Sequence, residues 1–245
     1  MRKALLLFTA VTLAAFVSTA ADAGVRLDGP PLRAPAKLDC PTDNGDLIRT
    51  AQSPDGQWCD YAGRQGETVR LRLTPLNGQT PSAALEPVRA QLHALVPVYR
   101  KATPVTYGDG SGDSADVNVP FVRVHADGDR ADVRLFGIFH IVDKDHDRSH
   151  DGDGDRVRKH ATVHAGLRGA EVVADEVGRN NVSLVYVLAG GHRYASGYRA
   201  VGYIAKGPVT GPLVVAEFRS PENSHRDNDG GHDDIDRLID HNLER

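Results

Sequence analysis

From Glu67 to Thr74 apolar and polar positions alternate. Val69, Leu71 and Leu73 fall on one face and Arg70, Arg72 and Thr74 on the other, which predicts a half-buried strand. Gln57 to Tyr61 precedes it across a turn from Gly63 to Gly66 and is expected to pair with it. Beyond residue 116 short strand-like runs follow one another: Val117–His125, Ala131–Val142, Arg156–His164, Ala170–Asp175, Val182–Ala189, Tyr198–Ala205 and Leu213–Phe218. Turn formers such as Asp127-Gly128, Asn180-Asn181, Gly190-Gly191 and Gly207-Pro208 separate several of them. No helical period lies between these runs, so the pattern predicts an antiparallel meander rather than βαβ units.

Two stretches carry a helical period instead. Thr80-Pro81 supplies a hydroxyl N-cap and a first-turn proline, and Leu85, Val88, Leu92, Leu95 and Val96 then form one stripe. Pro87 predicts a kink and Pro97 ends the run. Near the C-terminus Ile235, Leu238, Ile239 and Leu243 share a face, which predicts a short amphipathic helix over His232 to Leu243. The expected fold class is therefore α+β: a mainly antiparallel sheet, in one layer or two, with a helix near 80–96 and a short C-terminal helix. Several strands are apolar on both faces; Leu184, Tyr186 and Leu188 alternate with Val185 and Val187. Such strands need cover on both sides, from the 80–96 helix or from a second sheet.

Residues 24–106 read as an N-terminal region and 117–219 as a β-rich region, packed together as one domain. Tyr107 to Asp116 reads as a connector without periodicity. Residues 220–245 read as an acidic tail, and the polar stretch Pro221 to Gly231 predicts that truncation after Ser220 leaves a folded core.

Residues 1–23 read as an export leader. Arg2 and Lys3 precede an apolar stretch from Ala4 to Val17, and Ala21-Asp22-Ala23 is a small-x-small cleavage site. The apolar stretch is shorter than a spanning helix needs, and no later stretch is long and apolar enough. The mature chain would begin at Gly24, periplasmic or secreted. Losing Arg2, Lys3 and Asp22 moves the formal charge from −4 to −5. That acidic excess argues against nucleic acid as a partner. In an oxidising compartment Cys40 and Cys59, the two cysteines of the chain, are expected to pair as a structural disulfide.

The densest chemistry lies at Asp143, Asp145, Asp147, Asp151, Asp153 and Asp155, offset by Lys144 and Arg148. Alternating Asp residues in a Gly-containing loop are what a hard cation such as Ca²⁺ takes. An EF-hand frame starting at Asp147 puts Gly152 at the sixth position, but Arg158 stands where the bidentate Glu belongs. The expectation is a solvated hairpin tip between the 131–142 and 156–164 strands that binds Ca²⁺ weakly if at all. His140, His146, His150, His160 and His164 lie in or beside this loop. On a strand His160 and His164 would be about 13 Å apart and share no ion; His140 and His160 approach only if the register across the hairpin allows. The stretch His225 to Asp236 reads as a second acidic, solubilising segment. Asn181-Val182-Ser183 matches the glycosylation sequon.

No G-x-S-x-G, H-E-x-x-H, P-loop or G-x-G-x-x-G signature is present, and neither cysteine is expected to be a free nucleophile. No catalytic or cofactor-binding residue is singled out. The sequence thus leans to an exported, non-enzymatic protein of the cell envelope or secretome that acts by binding. Two alternatives stand beside it: a Ca²⁺ module using the 143–155 loop, and a hydrolase whose site carries no known signature.

Overall fold

The computed structural model describes residues 29–64, 66–97, 105–108, 115–119, 122–127, 130–135, 139–142, 158–166, 169–190, 193–221 and 230–243. The first strands are β1 (Asp43–Asn44), β2 (Leu47–Gln52), β3 (Trp58–Ala62) and β4 (Thr68–Thr74), followed by helix α1 (Pro81–Leu95). Then come β5 (Val105–Gly108), β6 (Ala115–Val119), β7 (Val122–Asp127), β8 (Arg130–Leu135) and β9 (Phe139–Val142). Last are β10 (Arg158–Gly166), β11 (Gly169–Val177), β12 (Asn181–Gly190), β13 (Ala200–Pro208), β14 (Leu213–Ser220) and helix α2 (Gly230–His241). The α+β class predicted from the alternation holds: every strand pairing is antiparallel.

Ten strands make one sheet in the order β1-β2-β3-β4-β14-β13-β12-β11-β10-β5. The meander from β10 to β14 runs as the turn signals suggest, and β4 then adds to its last strand, so the two ends of the chain share one sheet. Strands β6 to β9 form a separate sheet of four. Two expected strands are each split into a hairpin. Val117–His125 is divided between β6 and β7, and Ala131–Val142 between β8 and β9. The expected 107–116 connector begins as strand, because Tyr107 pairs with Ala161.

Which layer covers the sheet is decided by two different elements. On one face α1 packs Leu85, Val88, Leu92 and Val96 against Leu184, Tyr186, Leu188, Val201 and Tyr203. Thr80 caps this helix by accepting from the Ala83 N–H at 3.3 Å, and the helix continues through Pro87. Ser196 in the β12–β13 loop donates to the Leu95 carbonyl at 2.6 Å, tying down its last turn. On the opposite face Ile235, Leu238, Ile239 and Leu243 of α2 and its end join Leu71, Ile204, Val214, Ala216 and Phe218. Gly202 makes room there, since a Cβ would meet the Phe218 ring.

The C-terminal tail is thus not an appendage. Leu238 and Ile239 are fully buried, and Lys206 on β13 pairs with Asp236 at 3.0 Å and Asp240 at 3.1 Å. The reading of residues 225–236 as solubilising fails at Asp234 and Asp236, whose carboxylates dock the helix instead. A truncation after Ser220 would strip the cover from one face of the sheet.

Cys40 and Cys59 are bonded, with Cα atoms 6.3 Å apart, as their spacing in an oxidising setting predicts. Beside them Tyr61 is buried, and its hydroxyl has no hydrogen-bond partner. An unsatisfied buried hydroxyl costs about 1–3 kcal/mol. Tyr61→Phe keeps the ring and removes that cost, so denaturant unfolding should show it neutral to about 1 kcal/mol more stable. A clear loss would mean the hydroxyl is solvated or bonded in solution.

Candidate functional site

The six Asp residues at 143, 145, 147, 151, 153 and 155, with His146 and His150, lie outside the described residues. The strands on either side of them do not form the expected hairpin. Strand β9 pairs with β8, where Arg134 faces His140, and β10 pairs with β11 and β5. His140 and His160 therefore sit in different sheets and have no shared register. The physical reason is loop length. Three residues separate Leu135 from its partner Phe139, and two separate Gly166 from Gly169, so these short closures cost less entropy than a hairpin across the long acidic loop. His160 and His164 do lie on one strand, as their alternation predicts. Among the described residues no group of three or more His, Cys, Asp or Glu could hold a metal ion.

Asn181 does not offer the sequon to a glycan. It is fully buried; its side-chain oxygen accepts from Leu32 N–H at 2.6 Å and its amide donates to the Pro30 carbonyl at 3.0 Å.

Polar chemistry converges instead on the α1 face of the sheet. Five adjacent strands place Asp60, Arg70, Glu217, Tyr203 and Tyr186 directly opposite one another in a single cross-strand row. Beneath α1 the row is closed. The Tyr186 hydroxyl donates to Glu171 at 3.1 Å and Arg89 of α1 donates to the same carboxylate oxygen at 3.2 Å, with its guanidinium 5.0 Å from the Tyr186 ring centroid. Glu171 is only 2% exposed, so its charge depends on these partners. His164 is the cross-strand neighbour of Glu171 and is half-buried.

Past the helix the row is open. Arg70 donates to both carboxylate oxygens of Asp60, at 2.7 and 2.8 Å, and its guanidinium lies 5.0 Å from the centroid of Trp58, the one tryptophan of the chain. Glu217, 7% exposed, sits 2.9 Å from Arg72 and 4.0 Å from Arg219. The Arg72 contact is near enough for an ion pair but not aligned as a hydrogen bond: the Nε atoms of Arg72 and Arg219 are buried with no hydrogen-bond partner. Among the described residues three guanidinium groups share two carboxylates here, and the Arg70 side chain is 51% exposed. This leaves a local positive excess on an acidic protein.

The row offers fixed charge rather than a proton to move. Burial first, and then the Glu171 charge, push the Tyr186 phenol up, and burial raises Tyr203 to about 12. The Asp60 hydrogen bond holds Arg70 charged to still higher pH than usual. For Arg89, burial works against the charge, but the bonds to Tyr186 and Glu171 outweigh it.

These shifts set an alkaline limit. Burial also raises Tyr61 to about 12; around Lys206, burial opposes the charge but the Asp236 and Asp240 carboxylates outweigh it. The folded-state values of Tyr61, Tyr186, Tyr203 and Lys206 are all raised, so between about pH 10 and 12 the folded chain holds protons that the unfolded chain releases. Stability is then full below about pH 10 and falls as pH rises through that window, by up to about 1.4 kcal/mol per pH unit for each such group. In a phenolate absorbance titration Tyr61, Tyr186 and Tyr203 should ionise together with unfolding, above the usual phenol range. A single smooth titration of all seven tyrosines on a chain that stays folded would contradict this.

The sequence reading missed Arg89, Glu171 and Glu217. A signal was present: a Glu at an inward position of an otherwise apolar strand, in Gly169-Ala-Glu-Val-Val and Val214-Val-Ala-Glu-Phe, is seldom tolerated without a partner. Compared with known proteins, the chain matches no family model, no curated protein and no solved structure.

Proposed function

We propose that this chain is an exported protein, periplasmic or secreted, which acts by binding an acidic polypeptide segment on the open strip formed by β3, β4 and β14. The observation that carries the binding reading is the arginine excess on that strip. Arg70 and Arg72 stand two residues apart on β4 and so about 7 Å apart, which is also the spacing of alternate side chains in an extended peptide. Carboxylates at every second position of such a peptide meet guanidinium groups in the planar geometry that arginine favours. Nucleic acid is the poorer fit, because the strip is small and the net charge is negative. Export is supported by the leader-like residues 1–23 and by the Cys40–Cys59 bond, which a reducing cytosol does not favour. No helix among the described residues is long and apolar enough to cross a membrane.

Trp58 beside Arg70 gives a direct assay. Titrating the purified protein with an oligo-glutamate peptide should change its fluorescence, salt should weaken the effect, and Arg70→Ala with Arg72→Ala should weaken it further. An oligo-lysine peptide should do nothing. Equal responses to both peptides, or none to either, would remove the strip as the binding surface. Cell fractionation with N-terminal sequencing checks export, with Gly24 the expected first residue.

Cation binding by the Asp143–Asp155 segment rests on its density of carboxylates and is tested separately. Melting in chelator and in millimolar Ca²⁺ should give nearly the same midpoint. A micromolar constant abolished by Asp151→Ala and Asp153→Ala would make the chain a Ca²⁺ module instead.

A further inference from the structure

Both halves of α2 are held by residues in or next to the loop that the disulfide closes. At its N-terminal half the Asp234 carboxylate accepts from the Asp46 backbone N–H at 2.8 Å, and Asn44 donates to the Asp234 carbonyl at 2.6 Å. Gly45 between them has a left-handed φ of 64°, and a Cβ there would run into the Asp234 carboxylate, so only glycine fits. At the C-terminal end Asp39, next to Cys40, donates its N–H to the Asn242 side chain at 2.8 Å and accepts from it through its carbonyl at 3.0 Å. His241 and the Asp39 carboxylate are 2.9 Å apart.

Besides the disulfide, that stretch is held by its pairing with β2, by the Arg49 N–H to the Thr42 carbonyl at 2.9 Å and by the buried side chains of Leu38 and Leu47. Strand β1 is two residues long, and the β2–β3 ladder shifts register between Arg49 and Ala51. The preceding segment is held by Leu32 N–H to the Asn181 side chain at 2.6 Å, by Gln57 to the Ala36 carbonyl at 3.0 Å and by Leu38 N–H to the Gly56 carbonyl at 2.8 Å. Cys40–Cys59 is the covalent link between this strap and β3, and both cysteines are buried, at 5% and 0% exposure.

We propose that oxidation of Cys40 and Cys59 is the switch that docks α2: the helix seats on the sheet in the disulfide form and comes away when the bond is reduced. Closing the bond removes two electrons and two protons from the thiols. A disulfide-bearing thiol oxidoreductase takes them by exchange and leaves as a dithiol. In the thiol form residues 39–47 keep their pairing with β2 but lose the cross-link to β3, which loosens the positions of Asp39, Asn44 and Asp46 that hold the helix. An exported chain would thereby complete its core only after reaching an oxidising compartment.

Coupling of this kind is reciprocal, so it is measured from both sides. In the full chain carrying Cys40→Ala and Cys59→Ala, backbone amides of 235–243 should exchange about 5–150-fold faster than in the oxidised protein, a usual range for coupled sites. Amides of β12 to β14 should lose much less protection. Unchanged protection of 235–243, or equal loss everywhere, would overturn the proposal. If that variant does not fold, the converse measurement decides. Leu238→Ala, which loosens α2, should speed reduction of the bond by dithiothreitol, which supplies the two electrons and two protons and becomes a cyclic disulfide. Leu85→Ala, a similar cut on the α1 face, is the control. Equal acceleration in both variants, or none in Leu238→Ala, means the bond opens by global unfolding and no latch exists.

Discussion

Removing residues 221–245 is expected to collapse the melting temperature by more than about 10 °C or to prevent folding outright. The deletion withdraws Ile235, Leu238, Ile239 and Leu243, each nearly fully buried, and uncovers the Ile204, Val214 and Ala216 side of the sheet. Burying a Leu or Ile contributes about 1.5–3 kcal/mol, and a whole domain is stable by only about 5–15 kcal/mol. Even after the entropy of ordering a helix is returned, the loss is a large share of that margin. It also leaves Lys206, a half-closed strap at Asp39 and an exposed apolar face behind. A graded version is Leu238→Ala, which should cost about 2–5 kcal/mol, or roughly 5–15 °C for a chain of this size. Thermal melting by circular dichroism measures both. A truncated protein that melts within a few degrees of the intact one would show that α2 contributes little beyond its own fold.

Arg89→Met should cost about 3 kcal/mol, because it leaves the Glu171 charge buried with only part of its support. The reverse change should be cheaper. In Glu171→Leu the arginine side chain, 29% exposed, still reaches water and lies 3.9 Å from Glu86. The double variant Arg89→Met with Glu171→Leu should recover most of the loss, since an apolar pair of similar volume often replaces a buried ion pair without cost. Urea unfolding of the four proteins closes the cycle. Equal losses in the two single variants, or simple additivity in the double, would mean that the pair is not coupled and that α1 is held by its apolar stripe alone.

Most of the secondary structure was legible before any coordinates. The alternation of Val69, Leu71 and Leu73 with Arg70, Arg72 and Thr74 has one reading as a strand. The stripe from Leu85 to Val96 after Thr80-Pro81 has one reading as a helix. These signals are local, because they follow from a two-residue and a 3.6-residue period and from capping chemistry. Errors arose where the pattern needed a partner to interpret it. Nothing in Ala131–Val142 says that its second half folds back on its first, and nothing in the acidic loop says that its flanking strands belong to different sheets.

The candidate site was illegible for the same reason. Asp60, Arg70, Glu217, Tyr203 and Tyr186 are scattered between residues 60 and 217, and register alone brings them into one row. A cross-strand partner is set by the hydrophobic pattern of both strands and by turn length together, which no single strand contains. Asp143–Asp155 stands out in the sequence instead, because its carboxylates are close together along the chain.

The sequence by itself determined the antiparallel β-rich class, the two helices, the α1 stripe and the pairing of Cys40 with Cys59, since each depends on spacing along the chain or on there being no other cysteine. Tertiary structure decided that β4 closes onto β14, that α1 and α2 cover opposite faces, and that Glu171 and Glu217 are buried beside arginines. The physical reason is that these contacts join residues far apart in the chain. Their energies depend on which apolar faces meet first, and a buried charge is tolerated only where that meeting supplies its partner.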